Sequence, residues 1–398
     1  MTDPLPGPLL AAPGAGVPDA PAARLADWFD AGALRRNRRY RAGVWALGAV
    51  GMVTGPALTL TVALSGPRWR APIVRISGGR PIAAAVAFAA ALAVAGEIVD
   101  LPARSAGYAW GRAHGLVTQP LLGWLADRGK AAALGGVLGM GMSAVTAVAM
   151  RRRPVGWWLP LWGVVSAGSV VLTAVAPRLI EPLFQKTRPL EDPELEHDVR
   201  AAAARLGVPV RDVVVSDASA RTTGANAYVS GLGPTRRVVL FDTLTGEFPR
   251  DQVRFVVAHE LAHVSRRHIL RGSIIAAAAS LPAFAAIGAA VAGATGAGRI
   301  GPRDADLTLR RLTTAVAAAG AVGMVAGRLG MRVSRGFERE ADWEALRVTQ
   351  DPDAAIDLHR GLVMSNLGVP DPPRWVQRLW GSHPTTLERI GLALRFGR

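Results

Sequence analysis

Hydrophobic residues along this chain gather into six blocks, at residues 44–64, 82–101, 131–150, 157–176, 274–294 and 312–331. A helix needs about 20 apolar residues to cross a bilayer, so the blocks predict about six transmembrane helices. Alanine and glycine dominate several of them, which favours helices that pack closely on one another. Glu97 and Asp100 near the end of the second block and Arg328 near the end of the sixth fit equally a bundle with an internal polar face or charges placed at the membrane interface. Pro56, Pro160 and Pro282 interrupt three blocks. Between the fourth and fifth blocks the pattern turns polar, over residues 177–271. There Asp192-Pro193 reads as a helix cap and first-turn proline, with Gly207 as the stop after Leu206. Strands are predicted at Val213-Val214-Val215, Ala227-Tyr228-Val229 and Val238-Val239-Leu240-Phe241, with Gly231-Leu232-Gly233-Pro234 turning between the last two. Residues 1–31 are rich in proline, alanine and glycine and predict a poorly ordered tail without a secretory signal; residues 25–29 are expected to rest on the membrane surface.

Composition sharpens this picture. Half of the residues are hydrophobic and the mean hydropathy is +0.24. The formal net charge is +16, and only Lys130 and Lys186 are lysines, so the positive charge is almost all arginine. No nucleic-acid-binding motif accompanies it, and arginines flanking membrane helices account for it better. Arg35, Arg36, Arg38, Arg39 and Arg41 predict a cytoplasmic amino terminus. Six crossings would return the carboxy terminus, and the polar insert, to that side. Arg68, Arg70, Arg75, Arg80 and Arg151 to Arg153 then fall on the opposite face and weaken the asymmetry. There is no cysteine. Disulfides, thiolate metal sites and cysteine nucleophiles are excluded, and any metal must use histidine, carboxylate and water.

The chemistry concentrates in His259-Glu260-Leu261-Ala262-His263. Residues four apart on a helix share a face, so both imidazoles reach one ion, while Glu260 faces a water activated by zinc and can accept its proton. Arg266 and Ile269 stand where a metzincin needs glycine and histidine. A carboxylate from a later helix must therefore complete the site. Glu338-Arg339-Glu340-Ala341-Asp342 offers it: Glu338 as a ligand, and Asp342, four residues on, as a hydrogen-bond partner that fixes the tautomer of a ligand histidine. His268 lies five positions beyond His263, which at about 100° per residue turns it off the ligand face. His114, His197 and His359 show no partner pattern.

Taken in order, further motifs resemble the CaaX prenyl protease 1 family of integral-membrane zinc metalloproteases, peptidase family M48. They are His114-Gly115, Pro182-Leu183-Phe184, Pro189 to Leu195, Asn226 to Gly231, Val239 to Leu244, Ser334-Arg335, Phe337-Glu338, Ala341-Asp342, Ser382-His383-Pro384 and Glu388-Arg389. The resemblance covers most of the chain from about Val44 onward. It implies one zinc per chain at His259, His263 and Glu338, and Glu260 as base. It also implies that His383 and Arg389 border the active site, with His383 placed to stabilise an oxyanion. Asn226 and Ala227 would lie on an edge strand that aligns the substrate backbone. The family encloses a chamber among its membrane helices.

The fold expected is mainly α: a multi-helix transmembrane bundle joined to a gluzincin-like zinc protease domain with a small β-sheet. The divisions are a disordered basic tail (1–42), four transmembrane helices (43–177), a cytoplasmic α/β insert with the zinc-motif helix (178–272), two transmembrane helices (273–332) and the remainder of the protease domain (333–398). Two departures stand out. Eukaryotic members have seven membrane helices, and the first is the one without a counterpart here. The Ala-, Gly- and Arg-rich composition has a bacterial cast, where prenylated CaaX proteins are not expected. The function implied is zinc-dependent endopeptidase action on membrane-associated proteins or peptides at the cell membrane, on the cytoplasmic side. The alternatives are an HtpX-like quality-control protease and a non-catalytic zinc-containing scaffold; the intact Glu260 argues against the scaffold. Oligomeric state and natural substrate are not legible.

Overall fold

The computed structural model describes residues 12–398. Its helices are α1 (Leu25–Trp28), α2 (Leu34–Leu64), α3 (Pro67–Ile76), α4 (Pro81–Ala113), α5 (Leu121–Arg152), α6 (Trp158–Leu179), α7 (Glu181–Phe184), α8 (Pro193–Arg205), α9 (Asp242–Glu247), α10 (Arg250–Ser265), α11 (His268–Thr295), α12 (Ala305–Thr349), α13 (Pro352–Ser365), α14 (Arg374–Trp380) and α15 (Thr386–Phe396). Its strands are β1 (Thr187–Pro189), β2 (Asp212–Ser216), β3 (Ala227–Ser230) and β4 (Arg237–Phe241).

Among the described residues, five helices, α2, α4, α5, α6 and α11, are long and apolar enough to cross a membrane. The sixth expected span falls in α12, which bends by 40° between Ala305–Met324 and Ala326–Thr349 and makes a sixth crossing when the pair is counted as one. The bend needs no proline. Gly320, Gly323, Gly327 and Gly330 weaken the helix there. Phe88, Met150, Trp157 and Leu309 form the bundle's buried core. Val53, Ile98 and Val171 point outward, exposing 67%, 66% and 59% of their surface, which suits lipid rather than water.

The polar insert forms one four-stranded sheet in the order β1-β2-β4-β3, with β2 and β4 parallel and the outer pairs antiparallel. Strand β1 is the one element of the sheet that the residue pattern does not predict. It is three residues long, all exposed, and ends in a proline. Asp192 caps α8 as expected, accepting from the Glu194 and Leu195 amides at 3.0 Å. Leu195, Val199, Leu240, Leu244 and Val257 pack the sheet against α8 and α10.

The amino-terminal stretch differs from the expected free tail. Residues 1–11 lie outside the described residues. Beyond them the chain runs along α12 and α15 and brings Phe29, Leu25 and Trp28 into a core with Phe255, Ile356 and Ile390. Leu25, Trp28 and Phe29 therefore bury apolar surface against the carboxy-terminal helices. The basic cluster also has a local task. Arg41 donates to the carbonyls of Leu367 and Asn366 at 2.9 Å, and the buried Asn37 donates to those of Val363 and Gly368, so the foot of α2 is pegged to the loop after α13. His114 packs at a tilt between Trp110 and Tyr40, and His197 is exposed.

Candidate active site

Helix α10 begins after Pro249 and buries Val253, Phe255, Val257 and Leu261 at 1% exposure or less. That burial fixes the rotation of the helix and turns His259 and His263 toward α12. Their Nε2 atoms lie 3.2 Å apart. Glu338 meets them from α12, with Oε2 3.4 Å from His259 Nε2 and Oε1 3.4 Å from His263 Nε2. Ligand atoms of these three residues all lie within 4.8 Å of one another.

The other side of each ring decides its tautomer. His259 Nδ1 lies 2.9 Å from Asp342 Oδ1, so it carries the proton and leaves Nε2 with a free lone pair. Asp342 is held in turn by Arg389, whose Nε and Nη2 donate at 2.8 and 2.5 Å. The two Nε2 atoms and the Glu338 carboxylate thus converge on one point. His383 Nδ1 approaches Glu338 Oε2 at 2.6 Å. A cation suits this arrangement. Two imidazoles and one carboxylate, with room beside them, are a donor set that zinc accepts.

Electrostatics agree. Burial opposes charge at Glu338 and Asp342, yet the imidazoles facing them, and Arg389 beside Asp342, hold both carboxyls well below the usual range. Burial also disfavours an imidazolium at His259, but Asp342 and Glu338 outweigh it and raise that ring to about 10. Burial pushes the Glu260 carboxyl up. Burial keeps His359 neutral, edge-on to Phe255.

A cavity of about 390 Å³ opens onto this cluster. It is lined by His259, Glu260, Glu338, His383 and Arg389 and, on the facing wall, by Asn226 and Asn366. Asn226 leads into β3, which is an edge strand of the sheet. Ala227 next to it is buried and does not line the cavity. Arg389, expected as a substrate contact, lines the cavity and donates through Nε and Nη2 to Asp342.

Two residues of the site are missed by helical spacing. His268 Nδ1 is 2.9 Å from His263 Nδ1, and its Nε2 is 3.1 Å from Glu340 Oε2. A continuous helix would turn His268 away from the ligand face. Here α10 stops at Ser265 and Arg267 takes a left-handed conformation (φ 54°), so the chain turns and His268 comes back under His263. Sequence signals for such a break are weak, because Arg267 is neither glycine nor asparagine.

The chain is similar to several known proteins. Peptidase family M48 matches residues 189–395. The family described as CAAX prenyl protease N-terminal, five membrane helices, matches residues 15–186. The chain is 26% identical over 316 residues to the metalloprotease YhfN of Bacillus subtilis, covering 77% of this chain and 72% of that one. It is 31% identical over 185 residues to the CAAX prenyl protease 1 homolog of rice (Oryza sativa), covering 46% and 44%. With CAAX prenyl protease 1 of Saccharomyces cerevisiae it shares 39% over 102 residues, 25% and 22% of the two chains. It thus spans less than half the length of these two prenyl proteases. The crystal structure of S. mikatae Ste24p has the same fold, with a TM-score of 0.78 at 21% identity over 94% of this chain and 92% of that one. With the M48 match covering more than half of its residues, the chain belongs to peptidase family M48.

Proposed function

We propose that the protein is a zinc-dependent endopeptidase of the cell membrane, similar to CaaX prenyl protease 1, that hydrolyses peptide bonds in membrane-associated proteins or peptides. The observation that carries this reading is the convergence of His259, His263 and Glu338 beside Glu260 in one cavity. A structural metal site needs no base, and Glu260 supplies one. An ion held there contributes Lewis acidity toward water and the scissile carbonyl. The chain's own groups do the rest. Glu260, its carboxyl raised by burial, takes the proton of the attacking water and passes it to the leaving amine. His383, the most exposed group around Glu338, donates to the developing oxyanion, an effect worth roughly 3 kcal/mol where such donors are removed. The β3 edge at Asn226 aligns the peptide backbone by strand addition. We place the active site on the cytoplasmic face, on the side of the arginine-rich foot of α2. The test is Glu260→Gln in purified protein. This variant should keep one zinc and lose cleavage of a peptide that the native enzyme cuts; undiminished cleavage would refute the role of Glu260.

A further inference from the structure

We propose that the amino-terminal strap, residues 12–19, together with Glu340 and His268, holds His263 in the tautomer that a metal ligand requires. The proposal rests on the metal-site reading above. To offer Nε2 to an ion, a neutral His263 must carry its proton on Nδ1. That N–H points at His268 Nδ1, 2.9 Å away. His268 must then accept there and hold its own proton on Nε2, 3.1 Å from Glu340 Oε2. Glu340 is buried, and Arg271 gives it two further donors at 2.7 and 3.2 Å. The Gly14 backbone N–H completes it, donating to Oε1 at 2.5 Å. With both imidazoles neutral and Glu340 ionised, one proton arrangement satisfies this row from Gly14 to His263. The reverse tautomer of His263 would put its proton where the ion belongs.

The strap is positioned closely enough to matter. Pro13 lies directly on Gly336: an added Cβ at Gly336 would come within 2.5 Å of the Pro13 Cβ and 2.7 Å of its carbonyl carbon. Gly14 adopts φ 84°, a left-handed conformation that glycine takes without strain. Farther on, Arg339 donates to the Pro18 carbonyl at 3.1 Å and approaches Asp19 at 3.7 Å. The two ligand histidines are therefore supported from opposite directions. His259 leans on Asp342 directly, and His263 leans on Glu340 through an intervening imidazole, with the amino terminus closing the row. His268 and Glu340 are positioning residues in this account. They touch neither the ion nor the substrate.

The readout is zinc affinity, measured on purified full-length protein by competition with a chelator of known strength. Removing a partner of a ligand histidine weakens metal binding by about 10–100-fold. His268→Leu should fall in that range. His268→Gln keeps one acceptor and one donor and should recover part of the loss, which a purely space-filling role would not predict. Gly336→Ala touches none of the relay side chains and suits a helix, yet it must lift Pro13 and Gly14. It should weaken zinc by about 3-fold or more, and much less in the His268→Leu background, because residues of one network do not add. A folded His268→Leu protein with native zinc affinity would overturn the proposal. So would a Gly336→Ala effect of equal size in both backgrounds. Failure of the underlying site reading looks different: native protein would then hold no zinc, or would hold it undiminished after His259→Ala.

Discussion

Replacing Asp342 by alanine strands the guanidinium of Arg389. The Asp342 side chain is 3% exposed and that of Arg389 16%, and two hydrogen bonds at 2.8 and 2.5 Å join them. A surface pair of this kind contributes about 0–1 kcal/mol. Burial changes the outcome, because the charge left behind cannot return to water. Removing one partner of a buried pair costs about 3–5 kcal/mol, whereas replacing both by apolar groups is often nearly neutral. Asp342→Ala should therefore cost about 3–5 kcal/mol of the metal-free protein's stability, Arg389→Ala about as much, and Asp342→Leu with Arg389→Met far less than the two together. In the zinc form Asp342→Ala also frees His259 Nδ1, adding a 10–100-fold loss of metal affinity, or about 1.4–2.8 kcal/mol. The assay is unfolding of the detergent-solubilised protein by titration with a denaturing surfactant, with chelator present, run as a double-mutant cycle. A coupling of about 2 kcal/mol or more is expected. Single and double losses that simply add would refute the claim that this buried pair is one unit.

Three further outcomes can be checked. Asn37→Ala removes both donors that tie α2 to the carbonyls of Val363 and Gly368, and should cost about 1–3 kcal/mol in the same unfolding assay. Withdrawing zinc with chelator should lower the melting temperature, and restoring free zinc to 100 times its dissociation constant should return about 2.7 kcal/mol. The chain has no cysteine, so single cysteines introduced at Ile76 and at Arg398 report sidedness without background; Ile76 is 76% exposed. An impermeant thiol reagent should reach them from opposite sides of the membrane, and labelling of both from one side would break the six-crossing topology.

Much of this architecture is legible in the residue order, for identifiable reasons. The apolar blocks reveal the membrane helices because lipid demands a long uninterrupted stretch. Val213 to Val215 and Val238 to Phe241 reveal β2 and β4 because strands buried on both faces carry continuous β-branched residues. The pairs His259/His263 and Glu338/Asp342 share helix faces because four residues make about one turn. What escapes is whatever depends on where the backbone turns. The left-handed Arg267 brings His268 beneath His263, and helical periodicity cannot anticipate that. Glu340 lies between Glu338 and Asp342 on the wrong face for the ion, and only the fold brings Arg271, His268 and Gly14 to it. The amino-terminal stretch resembles a free tail in composition. It is held instead by backbone contacts and by close packing on Gly336 and Gly391, which composition does not encode.

The central claim is that two imidazoles from α10 and one carboxylate from α12 grip a single divalent ion. X-ray absorption at the zinc K-edge of the purified native protein tests it most directly. The account predicts one zinc per chain with two nitrogen donors at about 2.0–2.1 Å and oxygen donors at about 2.0–2.2 Å, and a spectrum that vanishes with the metal in Glu338→Ala. Protein free of zinc, or zinc held with an unchanged spectrum after Glu338→Ala, would contradict it.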